Sequence, residues 1–153
     1  MSIRLAVLVS GRGSNLQAII DAIRTGRLQA SVEIVVSDAA DAPAVARARA
    51  VEIPAAVVRR RDYSSRAEFD LALAGAVEKA RPDLVVLAGF MTLLGPAFLD
   101  RFPGRVINIH PSLLPAFPGL EAQKQALEYG VRFTGCTVHY VDYGMDSGAI
   151  IDQ

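Results

Sequence analysis

Hydrophobic positions along this chain fall into short, β-branched runs separated by stretches with helical spacing. Residues 3–9 (IRLAVLV) form the first run, and 32–36, 55–58, 84–88 and 106–109 repeat the pattern, each predicting a strand. Between the first two, Leu16, Ile19, Ile20 and Ile23 recur at helical intervals over residues 16–25, and Gly26 supplies a stop. Residues 43–50 are rich in Ala and Arg and predict a second helix. Residues 64–80 predict a longer one, with Ser64 or Ser65 as N-cap and Glu68 as the capping-box partner of Ser65. A short helix is expected over 96–101 and another over 121–129, stopped by Gly130. Residues 84–88 (LVVLA) are apolar throughout, as befits a strand covered on both faces. Residues 134–141 alternate more loosely and suit an antiparallel strand near the C-terminus; 149–151 begin one more strand.

Alternation of strands and helices predicts an α/β protein: an open, mostly parallel, twisted sheet with helices on both faces. Ligands of such sheets bind outside the carboxyl ends of the strands, where strand order reverses. The residues leaving those ends are therefore the informative ones: 10–15 after the first strand, 89–94 after the fourth, and 108–110 at the end of the fifth. All three groups are expected on one edge.

Composition narrows the picture. At 153 residues the chain is long enough for one domain with a substantial core. Lys and Arg number 16, as do Asp and Glu, so no charge excess points to nucleic acid or an anionic membrane. No apolar run approaches the roughly 20 residues of a membrane helix. The apolar start runs into a glycine-rich turn without a cleavage pattern, so it reads as a strand and not a leader. Cys136 is the single cysteine, which excludes an internal disulfide and multi-cysteine zinc sites. A cytoplasmic location is expected.

Three segments carry candidate chemistry. In SGRGSNLQ (residues 10–17), Gly11 and Gly13 permit unusual backbone angles, and Ser14 or Asn15 can cap the helix that follows. Free amides at a helix start suit a phosphate. The segment lacks the Gly-Lys-Ser/Thr of a Walker loop. Leu16 occupies the third glycine position of the dinucleotide fingerprint, so a monophosphate fits better than a pyrophosphate. The same residues also describe an ordinary tight turn. In the second segment, VINIHPSLLPAFPG, Asn108 and His110 share a strand face. A carboxamide donates to an oxyanion and an imidazole exchanges protons near neutral pH; a hydrogen-bonded histidine at a strand end is the plainer alternative. In the third, Asp142 and Asp146 flank a glycine turn; this is turn chemistry unless the loop returns to the strand-five edge. His139 and Cys136 read as packed strand residues. A metal site from His110, His139 and Asp142 lacks tight ligand spacing, and Ser112 lacks a nucleophile elbow.

Taken together, VLVSGRGSNLQAIIDA, DLVVLAGFM, INIHPSLLPAFPG, TGCTVHYVD and DSGAII resemble the folate-dependent glycinamide ribonucleotide formyltransferases of purine synthesis. The segments occur in family order along the whole chain. The resemblance implies a Rossmann-like formyltransferase domain using 10-formyltetrahydrofolate as co-substrate and no metal. It implies Asn108, His110 and Asp146 as the catalytic trio and Gly13, Ser14 and Asn15 as the phosphate cradle. Folate contacts would come from Arg66, Met91, Thr92, Leu93, Leu94, Asn108, Val141, Asp142 and Asp146, the segment 141–146 being the folate loop. Asp146 would favour a protonated His110, and Asp142 would be a turn residue beside the pocket. A cis peptide before Pro115 is implied as well. Small-molecule substrates are the expected partners, and a homodimer is compatible with the resemblance. Thr92 stands where many relatives carry a basic residue, Glu121 where His or Asp is common, and Ala149 where proline is common. Relatives of this kind continue for several tens of residues, so 1–153 is read as a single domain lacking its C-terminal part. Two alternatives share the trio: a formyltetrahydrofolate hydrolase, and a ligand-binding relic without catalysis. Methionyl-tRNA formylation would call for a second domain and a basic surface.

Overall fold

The computed structural model describes residues 2–153. Among these residues one sheet of seven strands runs in the order β3-β2-β1-β4-β5-β6-β7. The strands are β1 (Ile3–Val9), β2 (Ala30–Ser37), β3 (Ala55–Val57), β4 (Leu84–Leu87), β5 (Val106–His110), β6 (Thr137–Tyr140) and β7 (Ile150–Asp152). β1 to β5 are parallel; β6 runs antiparallel to β5 and β7 antiparallel to β6. The helices are α1 (Ser14–Arg24), α2 (Pro43–Ala50), α3 (Arg66–Glu78), α4 (Pro96–Leu99) and α5 (Ala122–Tyr129). This is the mostly parallel α/β sheet that the periodicity predicts. No helix among the described residues is long and apolar enough to cross a membrane.

β1 shows why its sequence reads as an unbroken apolar run. Leu5, Val7 and Val9 point to one face, against Leu16 and Ile20 of α1 and Ala44 and Ala48 of α2. Ala6 and Leu8 point to the other, against Phe69, Leu73 and Val77 of α3 and Phe98 and Leu99 of α4. Period-two alternation thus buries both sides of a central strand, here every residue from Leu5 to Val9, when both faces carry helices. Each large side chain so buried contributes about 1.5–3 kcal/mol.

The cap of α3 matches expectation in Ser65 but not in the partner of Glu68, and the cap of α1 differs. Ser65 is the N-cap of α3, its hydroxyl accepting from the Glu68 N–H at 3.2 Å. The Glu68 carboxylate returns to Ser64 instead of Ser65, accepting from the Ser64 hydroxyl at 2.7 Å and its N–H at 3.1 Å. The two bonds from Ser64 hold the Glu68 carboxyl below its ordinary value. In α1 neither Ser14 nor Asn15 is the cap. The N-cap is Gly13, at φ +75°, with no side-chain cap bond. A Cβ on Gly13 would lie 2.7 Å from the Ala44 Cβ. Close packing of the loop on α2 therefore moves the helix start one residue earlier, and Ser14 and Asn15 fall in its first turn.

Candidate active site

Strand order reverses between β1 and β4, because the chain leaves β1 toward β2 and β3 and returns to build β4 on the other side. The loops leaving these two strands are tied together there: Ser10 N–H donates to the Gly89 carbonyl (3.1 Å), and Met91 N–H to the Ser10 hydroxyl (2.8 Å). A cavity of about 740 Å³ opens on this edge. Its wall includes Ser14 and Asn15, the segment from Gly89 to Leu94, the end of β5 from Asn108 to His110, and Asp142 and Asp146. The three groups expected on one edge are all there. A smaller hollow of about 340 Å³ is lined by Ser10 to Asn15, Ala88, Gly89 and Met91. The two share Ser14, Asn15, Gly89 and Met91, so they adjoin.

The polar groups converge at the end of β5. His110 is buried; its Nε2 lies 2.8 Å from the Phe117 carbonyl and its Nδ1 3.4 Å from Asp146 Oδ2. A carbonyl only accepts, so Nε2 carries a hydrogen and Nδ1 is the nitrogen turned to the carboxylate. Asp146 sits at φ +52°, a conformation Asp tolerates better than most residues, and Oδ2 also accepts from the Gly119 N–H at 2.8 Å. The carboxylate thereby ties the 141–148 loop to the proline-rich loop that follows β5.

Antiparallel pairing sets His139 opposite Asn108. His139 is buried, lines the cavity, and lies 3.7 Å from Asp146 Oδ1. Its Nδ1 is 2.9 Å from the Tyr140 carbonyl and so carries a hydrogen; in the neutral ring, Nε2 then accepts from Asn108 Nδ2 at 3.3 Å. That bond orients the carboxamide and leaves its second N–H free. The alternation of β6 by itself assigns His139 to packing. Nothing local marks it otherwise, because its role arises from the strand across from it.

The remaining expected residues divide clearly. Met91, Thr92, Leu93, Leu94, Val141 and Asp142 all line the larger cavity. Thr92 donates to Asp38 (2.6 Å), and Asp142 accepts from Gly144 N–H (3.0 Å) and the Ser147 hydroxyl (2.7 Å), as a turn residue does. Arg66 is not in the cavity wall. It begins α3, 3.9 Å from Asp70, whose other neighbour Gly95 directly follows Leu94. Cys136 is exposed at the cavity instead of buried, because β6 starts one residue later. Ser112 is buried and donates to the Ala116 carbonyl, a loop-internal bond. The Leu114–Pro115 peptide is cis. Thr137 donates to the Ser112 carbonyl and accepts from the Leu114 N–H, fastening the proline loop to β6. No cluster of three or more His, Cys, Asp or Glu among the described residues could hold a metal ion.

Comparison with known proteins agrees with this architecture. Residues 3–153 match the Formyl transferase family. The chain is 45% identical over 150 residues to phosphoribosylglycinamide formyltransferase of Haemophilus influenzae, covering 98% of this chain and 71% of that protein. It is 51% identical over 152 residues to the trifunctional purine biosynthetic protein adenosine-3 of Drosophila pseudoobscura pseudoobscura, spanning 98% of this chain but only 11% of that relative. The solved structure of glycinamide ribonucleotide transformylase 1 from Symbiobacterium toebii superposes with a TM-score of 0.96 at 53% identity, over 98% of this chain and 71% of that one. With that identity sustained over more than two thirds of a single-function relative, and the same fold beneath it, the chain belongs to the phosphoribosylglycinamide formyltransferase family.

Proposed function

We propose that this protein transfers the formyl group of 10-formyltetrahydrofolate to the amine of 5-phosphoribosyl-glycinamide, a step of purine synthesis. The observation that carries this reading is the junction of two hollows. One is edged by the glycine loop and suits a phosphate; the other is large, flanked by exposed Met91 and Leu93, and suits a flat heteroaromatic ring. Asn108, His110 and Asp146 line the larger one. The amides of Gly13, Ser14 and Asn15 would hold the phosphate. Met91 to Leu94, Val141 and Asp142 would hold the pterin, with Arg66 meeting the carboxylate tail beyond Leu94.

In this mechanism the amine nitrogen attacks the formyl carbon, and the carbonyl electron pair moves to oxygen. The free N–H of Asn108 donates to that oxyanion. His110, with a proton on Nδ1, donates to Phe117 and Asp146 and sets a positive charge beside the same oxygen. The amine gives up a proton through a water ordered by Asp146, the carbonyl re-forms, and the bond to the folate nitrogen breaks as that nitrogen takes a proton. Two reactants held face to face make a covalent enzyme intermediate unnecessary.

The test mixes purified protein with 10-formyltetrahydrofolate, with and without glycinamide ribonucleotide, and follows folate release. Release only with the amine is expected. Release without it would indicate the hydrolase, and none in either case the relic. His110→Ala should lower kcat by roughly 10²-fold or more while glycinamide ribonucleotide still binds; unchanged turnover would reject the mechanism.

A further inference from the structure

The glycine loop leaves β1 at Ser10 and enters α1 at Gly13, yet what shapes it comes from α2. The Ala44 N–H donates to the Gly11 carbonyl at 3.1 Å. One turn on, the Arg47 guanidinium donates from Nε to the Arg12 carbonyl at 2.8 Å and from Nη1 to the Gln17 side-chain oxygen at 3.2 Å. Gln17 is itself held by Asp21 at 3.0 Å. α2 thus draws two successive loop carbonyls to its own side.

A trans peptide points its C=O and its N–H in opposite directions. Drawing the carbonyls of Gly11 and Arg12 toward α2 therefore turns the N–H groups of Arg12 and Gly13 away from it. No acceptor within the described residues takes the amides of Arg12, Gly13, Ser14, Asn15 or Leu16. Residues 12 to 15 of that set line the smaller hollow. Successive amides turned to one side form a concave anion site, and those of the first helical turn extend it.

We infer that Arg47 is a positioning residue for the phosphate-bearing substrate: by holding the Arg12 carbonyl against α2, it keeps the loop amides turned into the hollow. This rests on the functional reading above and adds to it a residue outside both cavity walls. Arg47 touches neither reactant. Its removal frees the Arg12 peptide to rotate and leaves α3, the 89–95 segment and the trio undisturbed.

The experiment compares Arg47→Ala, Arg47→Lys and Arg49→Ala. Arg49 lies in the same helix turn and is exposed, and its side chain has no ion-pair or hydrogen-bond partner among the described residues, so it controls for loss of charge alone. Calorimetric binding of inorganic phosphate and of glycinamide ribonucleotide is read without folate, and KM and kcat for each substrate are read separately. Arg47→Ala should weaken both binding constants about tenfold, the scale of one charge-assisted hydrogen bond. Its KM for 10-formyltetrahydrofolate and its saturated kcat should stay within about twofold. Arg47→Lys, retaining a donor and the charge, should recover part of the loss, and Arg49→Ala should match the wild type. Wild-type phosphate affinity in Arg47→Ala would overturn the inference, as would an equal rise in KM for both substrates or an equal loss in Arg49→Ala. A wild-type protein that binds phosphate but transfers no formyl group defeats the functional reading alone, and the binding comparison still decides the role of Arg47; one that binds no phosphate defeats both.

Discussion

Gly11 and Gly13 look alike in the sequence, and the structure separates them. Gly13 takes φ +75°, and a Cβ there would meet the Ala44 Cβ at 2.7 Å and Cα at 2.9 Å; Gly11 has open space around it and no positive φ. Gly13→Ala should therefore cost roughly 1–3 kcal/mol, combining left-handed strain with a backbone clash, and should weaken glycinamide ribonucleotide binding. Gly11→Ala should be nearly neutral in denaturant unfolding. Equal costs at the two positions would contradict this account. The same scale holds what could not be read from residue types. His139 and Cys136 both belong to a run of loosely alternating residues, so periodicity assigned both to packing. Only the register of β6 against β5 sets His139 beside Asn108, and only the start of β6 at Thr137 leaves Cys136 outside the ladder.

Among the elements, α3 carries a buried carboxylate that the chemistry does not use. Asp70 Oδ2 accepts from the Gly95 N–H at 3.0 Å, and Oδ1 has no hydrogen-bond partner among the described residues. Burial pushes its carboxyl above the ordinary 3.8, against the lowering effects of the Gly95 bond and of nearby Arg66 and Arg60. The folded state then binds this proton more tightly than the unfolded chain. Its contribution to stability is full below the ordinary aspartate range and is lost as pH rises through the raised value. Asp70→Asn removes that titration. Relative to this variant, the wild type should be favoured most in acid, with its advantage shrinking or reversing as pH rises above the ordinary aspartate range, as read from Tm across the pH range. A difference in Tm that stays flat with pH would refute the assignment. The 141–148 loop is also well anchored. Tyr143 donates to the Asp100 carboxylate, which pushes the phenol pKa up, and Gly148 lies so close to the Tyr140 carbonyl that no side chain fits. Asp146 reaches His110 from a loop pinned at several points.

For the whole molecule, the sheet gathers both hollows onto one edge, so each ligand should stabilise the entire fold by mass action. Glycinamide ribonucleotide at about 100 times its Kd should add about 2.7 kcal/mol, which raises Tm by roughly 5–10 °C for a domain of this size. 10-Formyltetrahydrofolate should add a further rise, since the site proposed for it is the neighbouring hollow. A melting curve indifferent to both would exclude binding at this edge. By itself the sequence determined the succession of strands and helices, the two-sided burial of the central strands, and the expectation that residues 10–15, 89–94 and 108–110 meet. Those features follow from periodicity and chain direction, which are local. No local pattern pairs Asp146 with His110, which the family resemblance alone implied; the tertiary structure alone decided that His139 orients Asn108 and that α2 grips the glycine loop. Each of these depends on which distant backbone lies within hydrogen-bond reach, a matter set by strand register and close packing and not by any residue's immediate neighbours.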